Sequence, residues 1–219
     1  MSVFLAIEGA DGAGKATASA AVADLLRANG KRAAVVSFPR YGDTIGGHML
    51  GELLSGRLPR GATPESAAVL YALDRFESRA HVGDVAAAND VVVFDRYVAS
   101  NMAYQAAKVG SDEADRLMRW ILALETGAFG LRPPDLSVYL DTPPARALDQ
   151  ILQKRRRSYT DRALDENEAD ARLQLAVRTA YRSMVARSIA GRWITVATMA
   201  GDAMRTPAAI AEEIVAAIS

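Results

Sequence analysis

No cysteine occurs in the 219 residues. That absence excludes disulfides, thiolate nucleophiles and Cys-ligated zinc or iron–sulfur clusters. Net charge is missing as well: 26 Lys and Arg against 26 Asp and Glu leave a formal charge of zero. No global field therefore draws the chain to nucleic acid or to an anionic membrane, and any anion site has to be local. The two histidines, His48 and His81, share no ligand spacing, so no metal site is expected from them. Long apolar runs are lacking too. The run from Val3 to Ile7 is too short to span a bilayer, has no basic flank and leads into glycine-rich sequence instead of a cleavage site. The expectation is a cytoplasmic protein with neither nucleic acid nor membrane as partner. What remains, 50% apolar and 24% charged residues, suits one compact domain over residues 1–219.

Short runs rich in Val, Ile, Leu and Phe recur from Val3 to Ile7, Ala33 to Phe38, Val91 to Phe94, Leu136 to Leu140 and Trp193 to Val196, with helical patterning between them. Continuous apolar strands joined by helical crossovers are buried on both faces, which predicts an α/β fold: a doubly wound, five-stranded parallel sheet flanked by helices. In the first crossover Ala18, Ala21, Val22, Leu25 and Leu26 share a face, and Asn29-Gly30 supplies a stop. Thr63-Pro64, Thr142-Pro143 and Thr206-Pro207 each place a capping hydroxyl before a proline, predicting three further helix starts. Lys154 to Arg172 is too charged for a packed core, and a mobile lid is expected at about 154–166.

Between the first strand and the first helix lies Glu8-Gly9-Ala10-Asp11-Gly12-Ala13-Gly14-Lys15-Ala16-Thr17, a GxxxxGK pattern. Such a loop folds its N–H groups into a nest at a helix N-terminus, where the amides and the helix dipole cradle phosphates and Lys15 neutralises the β and γ charge. Gly9, Gly12, Ala13, Gly14, Lys15, Ala16 and Thr17 are thus the expected ATP contacts of a P-loop NTPase. Ala16 departs from the pattern, because a Ser or Thr hydroxyl normally ligates Mg²⁺ there. Thr17 is about 100° further around the helix and does not substitute. The metal is left to carboxylates, of which Asp95, closing the Val91 to Phe94 strand, is the best placed and Glu168 a second.

These motifs resemble the thymidylate kinase family of nucleoside monophosphate kinases. Five stretches carry the resemblance in order: the loop Glu8 to Thr17, Phe38-Pro39-Arg40-Tyr41-Gly42, Leu73-Asp74-Arg75, Asp95-Arg96-Tyr97 with Ser100-Asn101, and the arginine-rich segment before Asp165. The resemblance implies transfer of the ATP γ-phosphoryl group to the 5′-phosphate of dTMP, giving dTDP, with Mg²⁺ as cofactor and a homodimer as the usual assembly. It further implies that Tyr41 and Arg96 hold the acceptor phosphate, that Arg75 and Asn101 hold the thymine, and that Asp11 and Tyr104 meet the sugar, with Phe38, Pro39, Arg40, Tyr71 and Tyr97 as further substrate contacts. The alternatives are a catalytically weak or inert nucleotide-binding relative, since Ala16 removes a metal ligand, and a kinase for another nucleotide or nucleoside.

The chemistry fits independently. An acceptor phosphate is already a nucleophile, so the difficulty is bringing two polyanions together, and arginine forks answer it. Arg40, Arg75 and Arg96 stand outside any charge run and are either phosphate ligands or salt-bridged surface groups. Tyr71 and Arg75 are one helical turn apart, and Tyr97, Asn101 and Tyr104 follow at i, i+4 and i+7. That stripe is read as a base pocket, the alternative being core. The loop offers no arginine, so Asp11, Lys15 and Arg96 are joined as catalytic candidates by Arg155, Arg156, Arg157 or Arg162 of the lid, closing over ATP. A GTPase is disfavoured: Asp43-Thr44-Ile45-Gly46 matches DxxG but does not follow the Asp95 strand, and no Asn-Lys-x-Asp signature exists.

Overall fold

The computed structural model describes residues 1–58, 61–157 and 171–218, with side chains given except at 152–157. Five strands form one parallel sheet: β1 (Val3–Glu8), β2 (Ala33–Ser37), β3 (Val91–Asp95), β4 (Leu136–Asp141) and β5 (Trp193–Ala197), in the order β2-β3-β1-β4-β5. Each matches its apolar run to within a residue or two. The alternation along these strands feeds two cores. Phe4 and Ala6, with Val92, Phe94 and Tyr139, face one layer, while Leu5, Ile7, Val91, Val93, Leu136 and Val138 face the other. Both faces are dry, the condition that makes parallel strands read as continuous apolar runs.

The second layer is built by α1 (Lys15–Ala28) and, late in the chain, α9 (Pro207–Ala216), which bring Ala18, Val22, Leu26, Ile210 and Ile214 onto the sheet. Helix α1 stops as expected: Gly30 takes φ 77°, and the Lys31 N–H reaches back to the Leu26 carbonyl. The first layer holds α5 (Val98–Ala106), α6 (Ser111–Leu122) and α8 (Ala171–Ala186), whose Met102, Ile121, Val177, Tyr181 and Met184 are buried. Between β2 and β3 come α2 (Ile45–Leu54), α3 (Pro64–Glu77) and α4 (Arg79–Ala88). A π-helical turn, Ala123–Ala128, prolongs α6, and α7 (Pro144–Arg157) follows β4.

Two of the three predicted caps form. Thr63 accepts from the Ser66 N–H and Thr206 from the Ala209 N–H. The third does not. Helix α7 starts at Pro144, and the buried Thr142 hydroxyl instead accepts from Thr198 and donates to the Ala13 carbonyl, so it ties the glycine loop to the end of β4. Of the segment expected as a lid at about 154–166, Lys154 to Arg157 form the end of α7 and the rest lies outside the described residues. A two-stranded hairpin of β6 (Met199–Ala200) and β7 (Ala203–Met204) after β5 had no signal in the apolar pattern. Among the described residues no helix is long and apolar enough to cross a membrane.

Candidate active site

The glycine loop joins β1 to α1 at the carboxyl edge of the sheet, where open α/β sheets bind ligands. Gly14 caps α1 at φ 85°, and Ala16 and Thr17 lie exposed in its first turn. Gly12 is required twice over: its φ is 75°, and a Cβ there would stand 2.1 Å from the Ala147 carbonyl oxygen of α7. Lys15 is buried and folded onto the loop, donating to the carbonyls of Gly9 (3.0 Å) and Ala10 (2.8 Å). Burial, with the Arg96 guanidinium alongside, brings its ammonium down to about 8. Asp95 stands half-buried at the end of β3, close enough to favour the Lys15 charge.

Asp11 is the hub of this loop. Its carboxylate pairs with Arg96 and lies 3.9 Å from Lys15. Burial pushes its carboxyl up, but Arg96 and Lys15 prevail and hold it at about 2. Gln174 of α8 grips the same residue at two points, accepting from the Asp11 N–H (2.9 Å) and donating to Oδ2 (3.1 Å). Arg96 follows β3 in the left-handed region at φ 68°, and its guanidinium lies over the Tyr104 ring at 5.3 Å. Two bonds to β1 bracket that backbone: the Arg96 N–H reaches the Ile7 carbonyl, and the Tyr97 N–H reaches Glu8 Oε1 at 2.8 Å. Glu8 is wholly buried and also accepts from Ser100 (2.6 Å) and Tyr181 (2.9 Å); its burial pushes the carboxyl pKa up.

A second cluster lies along α3 and α5. Arg75 forms a bidentate pair with Glu125 of the π-helical turn, at 2.5 and 2.6 Å, and neither is exposed by more than 2%. Asn101 donates to Glu125 Oε1 (2.8 Å) and to the Ala68 carbonyl (3.0 Å), which spends its amide protons. Its Oδ1 is buried with no partner among the described residues, as are both amide atoms of Gln105 one turn on. Phe38, before a cis Pro39, lies under Arg75 at 5.9 Å. Arg40 reaches Asp43 (3.1 Å) and Ser78 (3.2 Å), and its N–H donates to the buried Asp74 (3.0 Å). Tyr71 is half-buried on α3 and Tyr41 is 45% exposed.

A strand–glycine loop–helix with a buried lysine, an arginine brought onto the loop from the end of β3, and a buried polar cluster along α3 and α5 agree with comparisons to known proteins. The thymidylate kinase family model matches residues 7–200. The chain is 35% identical over 195 residues to the thymidylate kinase of Mycobacterium tuberculosis, covering 89% of this chain and 91% of that one. It is 33% identical over 228 residues to that of Thermomicrobium roseum, covering 100% and 95%. The chain belongs to the thymidylate kinase family. The solved structure of thymidylate kinase from Candida albicans superposes with a TM-score of 0.73 at 19% identity over 99% of this chain and 91% of that one, which is a likeness of fold.

The structure gathers Asp11, Lys15, Arg96 and Tyr104 around the glycine loop, and Phe38, Arg75 and Asn101 in a separate buried cluster with Glu125. Tyr97, expected in the base pocket, lies in the core. Its ring stacks on Phe94 at 4.5 Å within the core and its hydroxyl donates to the Arg132 carbonyl, because the first residue of the predicted stripe points at the sheet. Thr44, in the DxxG-like stretch, caps α2, and a Cβ on Gly46 would stand 2.4 Å from the Asp74 N, so that stretch is a packing device. His48 and His81 are exposed on α2 and α4. Arg155, Arg156 and Arg157 fall in α7 with side chains outside the description, and Arg162 and Glu168 lie outside the described residues. Among those residues no three His, Asp or Glu side chains cluster as a metal site. Sequence reasoning missed Gln174, Glu125, Gln105 and the acceptor role of Glu8. Gln174 did leave a trace: it interrupts the buried face of Val177, Tyr181 and Met184 on α8.

Proposed function

We propose that this family member transfers the γ-phosphoryl group of ATP to the 5′-phosphate of dTMP, forming dTDP. The observation that carries the reading is the buried Asn101 Oδ1, an acceptor without a partner among the described residues, beside the Arg75 fork. A thymine ring offers an imide N–H to such an acceptor and a carbonyl oxygen to such a donor. A cytosine ring presents a lone pair where the N–H would be, leaving two acceptors face to face. At the other end, Lys15 exchanges the Gly9 and Ala10 carbonyls for phosphate oxygens, and Arg96 shares its guanidinium between Asp11 and the incoming phosphates. Lys15 is already buried and the Arg96 side chain is only 24% exposed, so both act on the transferring group with little reorganisation.

Asp95 would be the protein's contact to Mg²⁺, which when bound would supply positive charge to offset that on the phosphate oxygens. The half-buried Asp95 carboxylate beside Lys15 suits a metal held mainly through water and nucleotide oxygens, as the methyl of Ala16 requires. Val69 and Phe76, exposed two turns apart on α3, form an apolar stripe that supports pairing of two copies. The test is ADP formation with dTMP, dUMP, dCMP, AMP and thymidine, with and without EDTA. Turnover of dTMP well above dCMP, abolished by EDTA, is expected. Binding of both nucleotides by calorimetry without turnover at any Mg²⁺ concentration would instead identify an inert relative.

A further inference from the structure

We infer that Gln174 is a positioning residue of this kinase, acting on phosphoryl transfer through Asp11; the inference rests on the dTMP kinase reading. The glycine loop is held from two sides. On one, the Ala147 carbonyl of α7 lies against Gly12 so closely that no Cβ fits. On the other, the Gln174 side chain accepts from the Asp11 N–H at 2.9 Å and donates to Asp11 Oδ2 at 3.1 Å. Only an amide at the end of a two-carbon arm supplies acceptor and donor in that order, so the clamp fixes both the loop backbone and the rotation of the carboxylate.

That rotation matters because the other carboxylate oxygen, Oδ1, takes the Arg96 guanidinium and faces the Lys15 ammonium at 3.9 Å. One small turn of the Asp11 carboxylate therefore displaces both cations that meet the phosphates. The Tyr104 hydroxyl also approaches Gln174 Oε1 at 3.5 Å, so α5 backs the clamp. Helix α8 has a firm base for this task, since Tyr181, two turns along the same face, is wholly buried and donates to Glu8 at the end of β1. Gln174 itself touches no reacting atom. Its effect belongs chiefly in kcat, because ground-state binding is spread over the base contacts and the glycine-loop amides as well, while the alignment of Arg96 and Lys15 at the transferring group is set by Asp11.

The experiment is steady-state kinetics of Gln174→Met and Gln174→Glu with ATP and dTMP, alongside thermal unfolding and calorimetric binding of dTMP. Methionine keeps the length and fills the space without hydrogen bonds; glutamate keeps the acceptor for the Asp11 N–H but sets a carboxylate against Oδ2. Both should lower kcat by roughly 10- to 100-fold with each KM within about 3-fold, and glutamate should be the worse of the two. Should methionine not fold, glutamate carries the same test. A kcat within about 2-fold of the parent in the variants that fold, or a loss confined to KM, overturns the inference. Wild-type protein that never turns over dTMP defeats the functional reading instead, before position 174 is in question.

Discussion

The two arginine clusters solve one problem, a buried guanidinium, in opposite ways. At Arg75 one carboxylate serves one cation: Glu125 takes Nε and Nη2 at 2.5 and 2.6 Å in the buried interior. At the glycine loop the charges are shared: Asp11 serves both Arg96 and Lys15, and Lys15 spends its protons on two loop carbonyls. A closed pair fixes a shape, and breaking it strands a charge in low dielectric. A shared set holds cations ready for a ligand that can outbid carbonyls, because a phosphate is a stronger acceptor than any peptide oxygen. The first cluster is therefore the place where stability is concentrated, and the second where rate is.

That contrast makes claims of graded size. The largest concerns Glu125→Ala, which leaves Arg75 without its counter-charge and Asn101 without one of its acceptors. It should cost about 3–5 kcal/mol in urea unfolding, a loss that stabilising the fold with excess dTMP only partly recovers. Lys15→Met should do the reverse: turnover falls roughly 10²- to 10³-fold while the unfolding midpoint moves little, since methionine fills the space of lysine and Asp11 keeps Arg96 as its counter-charge. If Lys15→Met unfolds the protein as readily as Glu125→Ala, the division of labour is wrong.

The smallest effect is in the acid limb of stability. Asp11 is held at about 2 against an ordinary 3.8, so the folded state favours its ionised form. The resulting stabilisation, about 2 kcal/mol, is fully present above pH 4 and lost as pH falls from there towards 2. Arg96→Ala removes the largest favourable charge on Asp11 and should move that loss to higher pH, measured by unfolding at a series of pH values. An acid limb unchanged by Arg96→Ala would mean that the carboxylate is held by its hydrogen bonds to Gln174 and not by the shared cations.

Sequence reached unevenly into these two regions. The loop itself was legible because Gly9 to Lys15 are contiguous and a glycine spacing is a statement about local backbone, whereas Arg96, Tyr104 and Gln174 reach it from far along the chain. Arg75 and Asn101 were legible as polar groups on apolar helices. Their shared partner was not, since Glu125 lies 50 residues from Arg75 on a helix with its own regular pattern. Tyr97 shows the limit of periodicity: the i, i+4, i+7 stripe is real, but periodicity alone does not say whether an aromatic ring turns towards the sheet or towards a ligand. Thr142 shows the same limit at a cap, where a tertiary partner, Thr198, took the hydroxyl.

By itself the sequence determined the five buried strands, the glycine loop and its missing hydroxyl, because alternation, apolar content and positive-φ glycines are written into neighbouring residues. Only the tertiary structure decided which carboxylate neutralises which arginine, that Glu8 and Tyr181 meet behind Arg96, and that Gln174 reaches across 163 residues to hold Asp11. The reason is physical. A hydrogen bond or ion pair in the interior is selected by the three-dimensional cost of leaving its partner unpaired, and that cost does not exist until the chain has folded.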